Sequence, residues 1–178
     1  MRGRGKGIDE QMKNIILCGF MGCGKSTIGR KLSAKTEKEF VDMDGYIEAK
    51  AGLTVSDIFE KYGEEKFREL ETEACKELSE KSDLIIAAGG GTLTFQRNID
   101  ILSKTGRIVS IDVKYEMLCE RLKRDTRRPL LQVENRNEVI KELLEKRRPI
   151  YERAASVYVD GNFTSKRVAD IVLGILHQ

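Results

Sequence analysis

Histidine is almost missing from this 178-residue chain: the single one is His177, in the C-terminal tail. Cysteine is scarce too, and no two of Cys18, Cys23, Cys75 and Cys119 make a C-x-x-C pair. Both absences argue against a zinc or dithiol redox site and leave reduced thiols in a cytoplasmic protein as the expectation. Long apolar runs are also lacking. The longest, Leu84–Ala88, falls far short of the ~20 residues that a membrane span needs. Residues 1–11 carry positive charge without an apolar core, so no secretory signal is read there. Only two prolines, Pro129 and Pro149, interrupt the chain, and no internal repeat divides it. A length of 178 residues favours one domain, able to bury roughly 70% of its unfolded surface without a disulfide or metal staple. The net charge of +3 is too small to call for a nucleic-acid partner.

What is present is an alternation of short apolar runs with helical patterns. Strands are expected at Asn14–Cys18, Phe40–Asp42, Leu84–Ala88, Arg107–Asp112 and Val157–Val159. Helices are expected at 25–35, 44–51, 56–62, 64–79, 96–104, 115–124, 137–154 and 166–175. NIILC and LIIAA are apolar on both faces, as parallel strands covered on two sides require. The implied fold class is α/β, a three-layer sandwich around a mostly parallel sheet of about five strands. Gly106 sits where a helix C-terminal glycine belongs. Residues 1–12 read as a flexible, solvated N-terminal arm, and 13–178 as a single domain.

Charge is unevenly placed. Residues 37–80 hold 14 acids and 6 bases, whereas 121–153 hold 11 bases and 6 acids. Such separation suits a polyanion over which the basic segment closes.

Gly19-Phe-Met-Gly-Cys-Gly24-Lys25-Ser26 fits G-x-x-x-x-G-K-[ST] between a strand and a helix, the context that this phosphate-binding loop demands. Its glycines let backbone N–H groups turn inward, the helix adds its positive end, Lys25 reaches the β- and γ-phosphates, and Ser26 binds Mg²⁺. The N-K-x-D base-reading signature of GTPases is absent. Three further features stand with the loop. Asp42 and Asp44, in FVDMD, follow the next strand; they share a face and point at one cleft if that strand continues, or else they cap the following helix. Gly89, Gly90 and Gly91 follow a buried strand and let a ligand approach the backbone. Arg68 has Glu71 at i+3 to orient it. Asp112, before a helix, reads as an N-cap, with a water-mediated Mg²⁺ contact the alternative.

In GFMGCGKSTIG, VDMDGYIE, GEEKFRELE, AAGGGT, RRPLL and RRPIY, in this order and spacing, the chain from about residue 13 to its end resembles the shikimate kinase family. The resemblance implies a nucleoside-monophosphate-kinase-like P-loop fold. It implies ATP-dependent phosphorylation of the 3-hydroxyl of shikimate, giving shikimate 3-phosphate and ADP on the route to chorismate and aromatic amino acids. Carried over by position, it implies that Lys25, Asp44 and Arg128 are catalytic. Asp44, Arg68, Gly89, Gly90, Gly91 and Arg147 would bind shikimate, with both arginines on its carboxylate. ATP would meet Gly22, Cys23, Gly24, Lys25, Ser26, Thr27, Arg121 and Arg128, with Arg121 near the adenine and the 161–165 loop beside it. Ser26 and Asp42 would hold Mg²⁺, and a lid at about 123–135 would close over the site. A monomer working on small molecules, without nucleic acid or membrane, is expected. Cys23 departs from the small Ser or Ala more usual at its position; it is either a thiol open to alkylation and protected by MgATP, or an inert small side chain.

Overall fold

The apolar run Asn14–Cys18 becomes the middle strand of a sheet, and everything else is arranged around it. A computed structural model of the chain describes residues 14–126 and 128–176. The expected N-terminal arm and His177 lie outside the described residues. In chain order the elements are β1 (Asn14–Cys18), α1 (Lys25–Thr36), β2 (Glu39–Asp42), α2 (Met43–Ala51), α3 (Val55–Ser79) and β3 (Leu84–Ala87). They continue with α4 (Gln96–Ser103), β4 (Gly106–Asp112), α5 (Tyr115–Leu122), α6 (Arg136–Ala154), β5 (Val157–Asp160) and α7 (Ser165–Leu176). Short 3-10 turns occupy Thr92–Thr94 and Pro129–Leu131.

The five strands form one parallel sheet in the order β2-β3-β1-β4-β5. Every residue of β1 and β3 is buried, so both faces of the sheet's centre are covered, as the unbroken apolar runs require. Asn14 is the polar exception at the start of β1. Its amide donates to Lys81 O at 2.8 Å and accepts from Leu84 N at 3.0 Å, which ties β1 to the entry of β3 and leaves no buried amide unpaired.

Helix α3 starts with a capping box, Thr54 Oγ1 accepting from Asp57 N at 3.1 Å and Asp57 Oδ2 from Thr54 N at 3.2 Å. It breaks at Gly63, whose φ of 82° interrupts the helix between the two stretches expected at 56–62 and 64–79.

Gly106 corrects a sequence expectation. Helix α4 ends on Lys104 in right-handed geometry, and Gly106 is instead the first residue of β4. The reason for glycine there is packing. A Cβ would overlap Cδ1 of the buried Ile16 and stand 3.0 Å from Asn14 O, so β4 could not lie against β1 in this register. Gly106→Ala is therefore expected to destabilise the fold by about 1–3 kcal/mol, the scale of core overpacking, in a urea titration.

Candidate active site

The connection leaving β1 runs back to β2 at one edge of the sheet, whereas those leaving β3 and β4 run toward the other edge, so a crevice opens at the carboxyl ends of β1 and β3. Residues 19–24 turn there into α1. Gly22 and Gly24 take φ of 79° and 98°, a conformation that only glycine adopts cheaply. No side chain caps α1, so its first N–H groups face the loop and suit an anion. Lys25 Nζ donates to Gly19 O at 2.8 Å and Phe20 O at 3.2 Å, and lies 3.7 Å from Cys23 Sγ. Cys23 is 1% exposed, which closes its thiol to a bulk reagent and favours the inert reading. Thr27 stands exposed on the first turn of α1.

Ser26 Oγ donates to Asp42 Oδ2 at 2.6 Å. The strand does not continue past Asp42: that residue is the N-cap of α2, its Oδ1 accepting from Gly45 N at 3.3 Å. Asp42 and Asp44 thus reach the crevice from a strand end and a helix's first turn, not from one strand face. A hydroxyl and a carboxylate side by side are hard oxygen donors that fit Mg²⁺, which typically takes one or two protein ligands together with phosphate oxygens. Among the described residues no group of three or more His, Cys, Asp or Glu could hold a metal by itself.

Beside the loop, past the end of β3, the turn Gly89-Gly90-Gly91 gathers further charged side chains. A Cβ on Gly89 would stand 3.0 Å from Asp44 Oδ1 and 3.1 Å from Glu71 Oε1. One on Gly90 would stand 3.3 Å from Arg147 Nη1, and one on Gly91 2.7 Å from Arg68 Nη1. Arg68 donates to Glu71 Oε2 at 2.6 Å and lies over the rings of Phe67 and Phe95, 5.4 and 5.5 Å from their centres. Glu71, 1% exposed, accepts at its other oxygen from Thr92 Oγ1 at 2.7 Å. Asn98 then holds Thr92 O at 2.9 Å. Thr92 lies in the AAGGGT motif without a role assigned to it, and Asn98 and Phe95 carry no motif, because these residues act by supporting Arg68, Glu71 or one another across the fold.

Among the acids of the crevice, Asp44 is held well above the usual carboxylate range. Burial, with the neighbouring carboxylates of Asp42 and Glu71, pushes its pKa from the usual 3.8 up to about 6; Lys25 and Arg128 pull it partly back.

On the basic side, Arg128 pairs with Asp125 at 3.2 Å within the expected lid. Arg136 pins that segment's base, donating to Leu131 O at 2.7 Å, Leu122 O at 3.0 Å and Lys123 O at 2.6 Å. Arg121 lies over the outer rim of the phosphate loop and donates to Gly22 O at 3.1 Å. The 161–165 loop sits at the end of β5, with Asn162 accepting from Lys114 N at 2.8 Å and Arg167 over the Phe163 ring at 4.3 Å. Asp112 corrects another expectation. It is not an N-cap, since α5 is preceded by Lys114; its carboxylate accepts from Arg148 Nε at 2.9 Å, joining α6 to β4.

Residues 21–177 match the family model described as shikimate kinase. A shikimate kinase of Thermodesulfovibrio yellowstonii is 43% identical over 162 residues, 91% of this chain and 94% of that protein. Among solved structures, the shikimate kinase of Acinetobacter baumannii in complex with shikimate is 38% identical, with a TM-score of 0.89 over 94% of each chain. That of Aquifex aeolicus is also 38% identical, with a TM-score of 0.82 over 92% of this chain and 96% of its own.

A carboxyl whose pKa is higher folded than unfolded weakens the fold once it ionises. The loss sets in near pH 3.8, grows until about pH 6 and stays constant above. Asp44→Asn is therefore expected to stabilise the metal-free protein by about 2–3 kcal/mol at pH 7.5, and by much less at pH 4, in urea titrations with EDTA present.

Proposed function

The chain belongs to the shikimate kinase family, and from that premise we propose where and how it moves the γ-phosphoryl group of ATP to the 3-hydroxyl of shikimate. The products are shikimate 3-phosphate and ADP, a step on the way to chorismate and aromatic amino acids. The fold is that of the nucleoside-monophosphate-kinase-like P-loop enzymes. In our reading the phosphates of ATP lie in the 19–24 loop at the start of α1, and the acceptor lies on the Gly89–Gly91 turn.

One observation carries this placement: an acid and two guanidinium groups from three separate helices meet over three consecutive glycines. A small acid bearing hydroxyls needs planar, bidentate donors for its carboxylate and an acceptor for a hydroxyl. Arg68 and Arg147 supply the first and Asp44 the second. Asp44 takes the proton of the attacking hydroxyl; its raised pKa brings it closer to neutral working pH than an exposed aspartate would be. Lys25 exchanges the carbonyls of Gly19 and Phe20 for phosphate oxygens, and Arg128 meets the transferred group from the lid. Ser26 and Asp42 would hold Mg²⁺, which when bound neutralises charge on the β- and γ-phosphates. Lid closure over 123–135 excludes water and suppresses idle ATP hydrolysis. Arg121 and the 161–165 loop flank the adenine.

Four free cysteines support a reducing, cytoplasmic setting. Among the described residues no helix is long and apolar enough to cross a membrane.

A coupled ADP-release assay across shikimate, gluconate and nucleoside monophosphates tests the reading, with turnover expected on shikimate alone. Lys25→Met is expected to abolish turnover without unfolding the protein. Arg68→Ala is expected to raise the KM for shikimate about 10- to 100-fold, the scale of a lost charged hydrogen bond, with the KM for ATP nearly unchanged.

A further inference from the structure

The glycine turn poses a problem of orientation. Without side chains, the peptides at 89–91 rotate easily, and a reversed peptide would present a carbonyl oxygen to whatever the turn binds. Two of its three carbonyls are held by residues nearby in sequence. Gly89 O accepts from Thr92 N at 3.2 Å, and Gly91 O from Thr94 N at 3.1 Å and Thr94 Oγ1 at 2.6 Å. Gly90 O has no such local partner. Its hydrogen bond comes from 61 residues away: the hydroxyl of Tyr151, on α6, donates to it at 2.5 Å.

We propose that Tyr151 is a positioning residue for the acceptor: its hydroxyl fixes the Gly90–Gly91 peptide, and thereby the face that the turn shows to the ligand beside Arg147. The inference rests on the acceptor lying on this turn, as argued above. Peptide bonds among the described residues are all trans, so a Gly90 carbonyl drawn toward Tyr151 directs the Gly91 N–H the opposite way. A turn whose three carbonyls are all tied to protein leaves its donors, not its acceptors, for a carboxylate or hydroxyl.

The arrangement is built from one helix. Arg147 and Tyr151 are four residues apart on α6, hence on the same face, and both meet Gly90: the guanidinium beside its α-carbon, the phenol at its carbonyl. The helix is itself anchored at the end of β4 by Arg148, which donates to Asp112 Oδ1 at 2.9 Å and to Val113 O, just past the strand, at 3.3 Å. Tyr151 is 4% exposed, and burial raises its pKa well above the usual phenol value, so it remains a donor throughout the working range. A buried aromatic ring explains packing; it does not require a hydroxyl aimed at a glycine carbonyl.

Tyr151→Phe removes that hydroxyl and keeps the ring. Steady-state kinetics are expected to show the KM for shikimate raised about five- to tenfold, with the KM for ATP within about twofold of wild type. Calorimetric titration of shikimate into the variant should show the same loss of affinity, and a melting temperature within about 5 °C of wild type would confirm that the fold is kept. An unchanged KM for shikimate would overturn the inference, and so would a parallel rise in the KM for both substrates, which marks general loosening. These outcomes are separable from failure of the functional reading, because a wild-type enzyme that does not turn over shikimate contradicts that reading before any variant is made.

Discussion

No side chain could be added at residues 89–91 without displacing Asp44, Arg68 or Arg147, and the whole site depends on that bare stretch of backbone. The sheet delivers it: β3 is buried on both faces next to β1, so the chain emerging from it arrives beside the phosphate loop, at the same edge of the sheet. Helices α2, α3 and α6 then bring charged groups to it, Asp44 and Glu71 beside Gly89, Arg147 beside Gly90 and Arg68 beside Gly91. The parallel order puts the phosphate loop and the Gly89–Gly91 turn at adjacent strand ends, which suits the proposed in-line transfer between two bound molecules.

The electrostatics of this crowding are unfavourable in the protein taken alone. Asp42, Asp44 and Glu71 lie close together in a poorly hydrated crevice, and Asp44 bears the consequence in its raised pKa. Glu71 is relieved by Arg68 and by the Thr92 hydroxyl, Asp42 by Ser26 and the Gly45 N–H. Asp44 is offset only in part, by Lys25 and Arg128, and in the proposed reaction this leaves it available to a substrate hydroxyl. A group held at the expense of stability at the point of reaction is a common trade in active sites.

Local chemistry made much of this legible from the residues. NIILC and LIIAA announce buried parallel strands, and the phosphate loop carries its glycines, lysine and serine within eight positions. Glu71 follows Arg68 at helical spacing, and Gly63 marks the break in α3. What escaped is long-range. Gly106 looks like a helix terminator beside Leu102 and Lys104, yet the constraint comes from Ile16 and Asn14 on a neighbouring strand. Asp112 looks like a helix cap, but its partner Arg148 lies 36 residues away. Asp42 and Asp44 look like alternate positions of one strand, until the helix begins at Met43 and divides them between a cap and a first turn. Tyr151 enters the sequence only as the last residue of RRPIY, and its link to Gly90 appears when the fold sets its hydroxyl against that carbonyl.

The claim that a bare backbone turn is the floor of the acceptor site is tested most directly by calorimetric titration of shikimate into ADP-loaded Gly91→Ala. The added methyl group would displace the Arg68 guanidinium 2.7 Å away, so shikimate affinity is expected to fall by at least about tenfold while ADP affinity stays at the wild-type value. Wild-type affinity for shikimate in that variant would contradict the account.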